Sequence, residues 1–373
     1  MNARAAFLLI TLTPLAVVPD TVAAQQLPWT LGGAAQIQYF SFSDPESVNM
    51  QSLSLLTLPL DAGAQIGRNV SLQVAGHWAR GERRMSNGET VSIQGLTDTQ
   101  VSATVTFAEG LASVTGTVAL PTGNSTHDSR EEEIAANVAS DLLPFRISNW
   151  GSGGGAGIRA TAAQRFGDVG AGLSVGYFAA RDFTPRTGDE TVYQPGNNMV
   201  VRGVLDGNVG TAGKVSLQLS FHSFGDDLLD GTGFYQSGKR FQGIGSYAFA
   251  MGRRSSAVVY VGAMRRAAGE DLVGSPPIGA KTLFMAGTGT RLRVGGTLLL
   301  PTVDLRLLRA EDGVDQGYNV RLGGAAEIDM GSVMLLPLVR LHLGTLAVVE
   351  GVSESSYVGA DLGLAVRFGG GGR

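Results

Sequence analysis

Four histidines give this chain its widest chemical reach. His77, His127, His222 and His342 could each serve as a general base or a metal ligand. A hydrolase needs an imidazole within hydrogen-bond reach of a nucleophile, and a third polar group to orient it. Phe221-His222-Ser223 places a histidine beside a serine, but successive side chains of a strand point to opposite faces. That pair cannot meet if the segment is extended. His77 and His342 fall on the polar positions of their own alternating runs, where a lone imidazole is one more wet side chain. Cysteine is absent, which removes thiolate nucleophiles, thiolate metal sites and disulfides. The expectation is a chain that is not an enzyme and carries no cofactor or metal.

Other chemistry-bearing stretches are equally plain. Gly151-Ser-Gly-Gly-Gly-Ala-Gly157 resembles a phosphate-cradling loop in composition, but it lacks the following Lys-Ser/Thr and the helix that would present a phosphate. The segment 122–150 carries Asp128, Glu131, Glu132 and Glu133 without the spacing of a calcium loop. Three readings fit it: a constriction folded into an interior, with a short helix over 131–140; acids that bind divalent cations bridging lipopolysaccharide; or a solvated surface loop. Asn124-Ser-Thr126 matches a glycosylation sequon, and a match so short carries little weight by itself.

Charge is informative through its position. In 214–224, Val215, Leu217, Leu219 and Phe221 alternate with Ser216, Gln218, Ser220 and His222. In 318–330, Tyr318, Val320, Leu322 and Ile328 oppose Asn319, Arg321, Glu327 and Asp329. In 358–368, Val358, Ala360, Leu362, Leu364, Val366 and Phe368 alternate with small or charged residues. Such alternation gives each strand one oily and one wet face. The wet face collects Asp61, Arg159, Arg165, Arg202, Asp206, Asp304, Arg306, Arg321, Glu327, Asp329, Arg340, Asp361 and Arg367. If the oily face meets lipid, these are candidate lumen-lining residues. An Arg turned to lipid at the bilayer midplane would cost about 2–4 kcal/mol, so the register is strongly specified.

The elements that must position these residues come in pairs around very short turns: 67–69, 108–110, 167–168, 210–213, 252–254, 295–296 and 331–332, each with a glycine. Glycine-bearing turns between alternating runs are hairpin signals. One strand, 31–42, precedes the hairpins and one, 357–368, follows them. The connections between hairpins (43–53, 81–96, 122–154, 183–197, 225–239, 267–280, 310–317 and 344–356) are longer and polar. Short turns at one rim and long loops at the other predict an all-β fold: a single antiparallel transmembrane β-barrel of about sixteen strands, with twelve or fourteen as alternatives. The long loops would be extracellular, and both termini periplasmic.

Composition agrees. Hydrophobic residues make up 43% of the chain and charged ones 16%, yet the oily residues are dispersed, which excludes a helical membrane protein. Fifty-four glycines suit tight turns and close strand packing. A net charge of −4 gives no case for nucleic acid. Residues 1–24 read as a signal peptide: Arg4, an apolar run, then Val22-Ala23-Ala24 as a cleavage site. The barrel occupies 25–373 and resides in a bacterial outer membrane after export. Trp29, Trp78, Trp150 and eight tyrosines are the residues available for its interfacial girdles. Its partners would be outer-membrane lipid and lipopolysaccharide, the barrel-insertion machinery through the final strand ending at Phe368, and a small-molecule solute.

Thr115-Gly-Thr-Val-Ala-Leu-Pro-Thr-Gly123, a strand running into Leu-Pro-Thr-Gly before a long loop, resembles the "MetA-pathway of phenol degradation" family of outer-membrane transporters, as does Leu56-Thr-Leu-Pro59 with the hairpin that follows. The wider resemblance, over roughly 50–250, is to FadL-like uptake channels. It implies passive uptake of small, often hydrophobic or aromatic compounds. The family's N-terminal hatch and its Asn-Pro-Ala motif have no counterpart in residues 25–30, so a plug-and-lateral-exit mechanism does not carry over. The alternatives are a general diffusion porin or a structural surface barrel with a closed lumen. Five residues, 369–373, follow Phe368, where an assembly signal usually ends at the aromatic.

Overall fold

The computed structural model describes residues 29–210, 213–252, 255–273, 279–311, 315–349 and 353–369. The expected leader, 1–24, and the extension after Gly369 lie outside the described residues. The wall is built from β1 (Trp29–Phe42), β2 (Ser52–Ile66), β3 (Val70–Arg84), β4 (Thr90–Leu96), β5 (Thr99–Phe107), β6 (Ala112–Leu120), β7 (Gly155–Phe166) and β8 (Val169–Ala180). After the short β9 (Tyr193–Gln194) come β10 (Asn198–Val209) and β11 (Gly213–Phe224), then β12 (Asp226–Leu229) and β13 (Thr232–Gln236). The wall resumes with β14 (Arg240–Ala250) and β15 (Ser255–Arg266). Then come β16 (Glu270–Asp271), β17 (Lys281–Val294), β18 (Thr297–Ala310), β19 (Asp315–Asp329), β20 (Val333–Val349) and β21 (Ser353–Gly369).

Each wall strand pairs antiparallel with its neighbour, and β21 returns onto β1 from Thr30↔Gly369 to Phe42↔Tyr357. The ring is therefore closed. β4 and β5 both pair with β3 and act as one stave, so the wall is a sixteen-strand antiparallel barrel. Closure satisfies every edge, which a strand in hydrocarbon requires.

Register sorts the side chains. Directly paired residues share a face, so Gln36, Gln38 and Phe40 of β1 look inward with Thr57, Leu55 and Leu53 of β2. Ile37 and Tyr39 look outward and stay exposed, as do Leu58, Leu60, Leu173, Val261, Leu341 and Leu362 from around the ring. That oily exterior is the face a bilayer would cover. Trp78 pairs with Leu58 and shares it.

Two departures from the expected outline have physical causes. The connection 81–96 is not a loop: β3 runs on to Arg84 and pairs with β4. Its sequence, Arg80 to Arg84, is wet on both faces, so the oily-wet alternation that marks a membrane stave vanishes although pairing continues. The connections 183–197, 225–239 and 267–280 likewise contribute β9, β12, β13 and β16 to a separate four-stranded sheet at the long-loop rim. Phe183, Tyr193 and Phe234 stack edge to face within it, and the Tyr193 hydroxyl donates to Asp227 at 3.0 Å.

Candidate functional site

The first long connection folds into a single helical turn, α1 (Pro45–Val48), and the connection between β6 and β7 decides the shape of the interior. It opens with α2 (Ser129–Val138), a helix closed at its start by a capping box in which Asp128 accepts from the Glu131 backbone and Glu131 accepts from that of Asp128. The observed helix starts two residues earlier than the expected 131–140. The acids of this helix have local partners: Glu133 with Arg83, Glu132 with Arg186 at 2.9 Å, and Glu131 with its cap. His127, beside the cap, is held below the ordinary imidazole range by burial, against the opposing pull of Glu131, Glu132 and Asp128. Its ring resists protonation while the helix stays seated.

Beyond α2 the chain turns into the barrel. The Gln38 side-chain amide donates to the Pro144 carbonyl at 2.9 Å and accepts from the Arg146 backbone at 2.8 Å. Arg306 of β18 donates to the Asp141 carbonyl at 3.2 Å. The same number of staves separates β6 from β18 in either direction round the ring, so the inserted segment crosses the lumen to the opposite wall. Leu142, Leu143, Phe145 and Ile147 are buried there against inward residues of the wall: Phe40, Leu53, Leu55, Met264, Leu283, Leu308 and Leu346. The Phe145 ring meets Phe40 edge-on at 5.1 Å.

The two ends of the insertion abut. Asp98 accepts from the backbone N–H groups of Gly123, Ser152 and Gly154 at 3.1, 2.8 and 3.3 Å. A Cβ on Gly123 would lie 2.2 Å from the Trp150 carbonyl, which is a packing reason for the glycine of the Leu-Pro-Thr-Gly run. Trp150, expected among the interfacial girdle residues, is instead fully buried at this root. Its indole donates to the Ala79 carbonyl at 3.1 Å, and a Cβ on Gly81 would strike its ring at 2.8 Å. Truncation by Trp150→Ala should cost about 3–5 kcal/mol of seating. Limited trypsin digestion is expected to cut rapidly after Arg146 in the variant and slowly in the parent; equal rates would contradict this seating role.

Behind the insertion lies a polar cluster on β18 to β21. Asp304 accepts from Arg321 at 2.8 and 2.9 Å and from the Tyr260 hydroxyl. His342 pairs with Asp361 at 3.1 Å, and Asp361 also accepts from Gln38 at 3.2 Å. Arg340 pairs in register with Asp361, so both share this face. Cross-strand register also turns Asp61, Glu327, Asp329 and Arg367 inward, with Asp61, Asp329 and Arg367 exposed towards the short-turn rim.

The other half of the ring is different. Register turns Arg159 and Arg165 of β7, Arg202 and Asp206 of β10, and His222 of β11 inward. Asp206 is paired with Lys214 at 2.8 Å. Beside them, over β5 to β8, runs a hydroxyl ladder, Ser102 to Thr117 at 3.0 Å, Thr104 to Thr115 at 2.8 Å and Thr161 to Ser174 at 3.1 Å. The inserted segment leaves this side uncovered. Val204 faces inward yet is 38% exposed, whereas His342 across the lumen is 0% exposed. The histidines of this interior lie on separate strands, Ser223 faces away from His222, and among the described residues no serine or threonine hydroxyl is hydrogen-bonded to a histidine ring.

The fold compares with solved outer-membrane proteins. OprB of Pseudomonas putida is 11% identical, with 91% of this chain and 93% of that one covered and a TM-score of 0.50. An outer membrane channel of Pseudomonas putida F1 is 14% identical, with 79% of this chain and 99% of that one covered and a TM-score of 0.42. At such identities the OprB likeness speaks to the fold: an outer-membrane type of barrel. No protein-family model matches the chain, and no curated protein does. The phenol-degradation resemblance therefore rests on its own residues.

Proposed function

We propose that this barrel is a passive channel of a bacterial outer membrane. Its bore is the crescent between the inserted segment and the wall from β5 to β14. The observation that carries this reading is the asymmetry of the interior. A lumen-facing valine is water-accessible on one side, while a histidine, an aspartate and a phenylalanine are sealed on the other. A barrel closed for a purely structural role would bury both sides. The crescent is lined by hydroxyls, Gln218 and arginines, so it favours a hydrophilic solute. That supports the diffusion-porin alternative over the apolar or aromatic cargo implied by the family resemblance.

On the same reading, lipid and lipopolysaccharide cover the outer oily band. A leader cleaved near Ala24 delivers the chain, and the final strand with Phe368 engages the insertion machinery. Purified protein in planar bilayers should give steady ohmic steps. Silence at all voltages, with the protein demonstrably folded, would remove the channel reading and leave a structural barrel.

A further inference from the structure

The arginines of the crescent are distributed unlike those across the lumen. On β18 to β21 two arginines face acids, Arg321 on Asp304 and Arg340 opposite Asp361, while Arg306 is tied to the Asp141 carbonyl. Arg159, Arg202 and Arg240 make no ion pair among the described residues. Arg202 feels the repulsion of Arg159, and His222 that of both Arg240 and Arg202, with no carboxylate offsetting either.

Register places them along one stretch of wall. Arg240 pairs with His222, His222 with Val200, Val200 with Gly176 and Gly176 with Arg159, in one continuous row across β14, β11, β10, β8 and β7. Arg202 lies two residues along β10 from that row, level with Ser220 and Ser174. Gly176 sets no side chain between Arg159 and Arg202. The Nε of Arg240 is buried and has no hydrogen-bond partner. Asp206, the inward acid on the same wall, is taken by Lys214.

Like charges gathered on a water-accessible wall, without internal counter-charges, are stable when a mobile anion supplies the missing charge. Guanidinium forks suit a carboxylate, which accepts two parallel N–H bonds from each. We propose that Arg159, Arg202 and Arg240 form a binding track for small carboxylate anions along the crescent, making the channel anion-selective. The proposal rests on the channel reading above and names its solute class.

Two measurements separate the two claims. In bilayers under a potassium chloride gradient, the parent should show a reversal potential favouring chloride. The triple variant Arg159→Gln, Arg202→Gln, Arg240→Gln should lower the chloride-to-potassium permeability ratio by roughly threefold or more. Arg265→Gln, on the outward face of β15 and paired with Glu311 instead of lining the lumen, should leave it near the parent value. Second, sodium citrate binding to the detergent-solubilised barrel should be measured by calorimetry. Binding should be lost in the triple Gln variant and weakened in the triple Lys variant, which keeps the charge but not the fork. Unheated gel migration verifies that each variant is folded.

Conduction without anion preference, or a preference unchanged in the triple Gln variant, overturns the track and leaves the channel. Silent bilayers with citrate binding that depends on these arginines overturn the channel and keep the track. Absence of citrate binding in the parent overturns the track whatever the current.

Discussion

Excising residues 126–150 and joining Ser125 to Gly151 through a short Gly-Ser linker should raise single-channel conductance several-fold. The excision is feasible because the ends already touch: a Cβ on Gly151 would lie 2.9 Å from the Ser125 nitrogen, and Asp98 ties both ends to β5 and its approach. What is removed is the only described segment that crosses the lumen, reaching Gln38 and Arg306 on the far wall. A sixteen-strand ring without such an insertion encloses an aqueous channel, and the crescent would become the whole cross-section. Stability should fall at the same time. Phe40, Leu53, Leu55, Leu308 and Leu346 would lose their apolar cover and face water, at about 25 cal/mol for each Å² uncovered. Single-channel recordings together with the folded fraction on unheated gels test both halves. A folded variant with parental conductance would show that the bore is set elsewhere.

How far the molecule could be read from its residues depends on the solvent each residue meets. Where one face meets lipid and the other the lumen, alternation is enforced at kcal/mol cost per residue, and the staves can be read directly. The glycine turns at 67–69, 167–168 or 331–332 then fix the pairing, because a turn of two or three residues leaves no choice of partner. Above the bilayer that rule lapses. Arg80 to Arg84 carry charge on both faces and read as loop, although Val91 and Ile93 alternate with Thr90, Ser92 and Gln94 and Ile93 is buried.

The insertion was legible in part. A short helix and a fold into the interior are among the readings of 122–150, but the cap made by Asp128 and Glu131 starts the helix before the expected 131. The insertion's target was not legible, because it is assembled from Gln38, Phe40, Arg306 and His342, residues brought together only by ring closure. Trp150 was misplaced for the same reason: a tryptophan beside glycines has no periodicity to say whether it seeks an interface or a core. The imbalance between the two sets of arginines also needs the closed ring, since pairing depends on which strands are neighbours. Arg321 finds Asp304 on the adjacent strand, and Arg202 finds serines.

Asp304→Asn should destabilise the barrel by about 3–5 kcal/mol, the loss expected when one partner of a buried ion pair is removed. Asp304 and Arg321 are 6% and 4% exposed, so solvent cannot substitute for the missing carboxylate. The charge of Arg321 would be left uncompensated beside Arg306, which repels it. The Tyr260 hydroxyl would lose its acceptor as well. The double variant Asp304→Leu, Arg321→Met removes both charges together and should recover much of the loss, because an apolar replacement escapes the desolvation cost that the pair itself bears. Thermal unfolding in detergent, followed by the shift from compact to extended gel migration, compares the three proteins. If Asp304→Asn unfolds with the parent, the acid on β18 is not what neutralises this side of the lumen. The contrast drawn with the unpaired arginines of the crescent would then lose its basis.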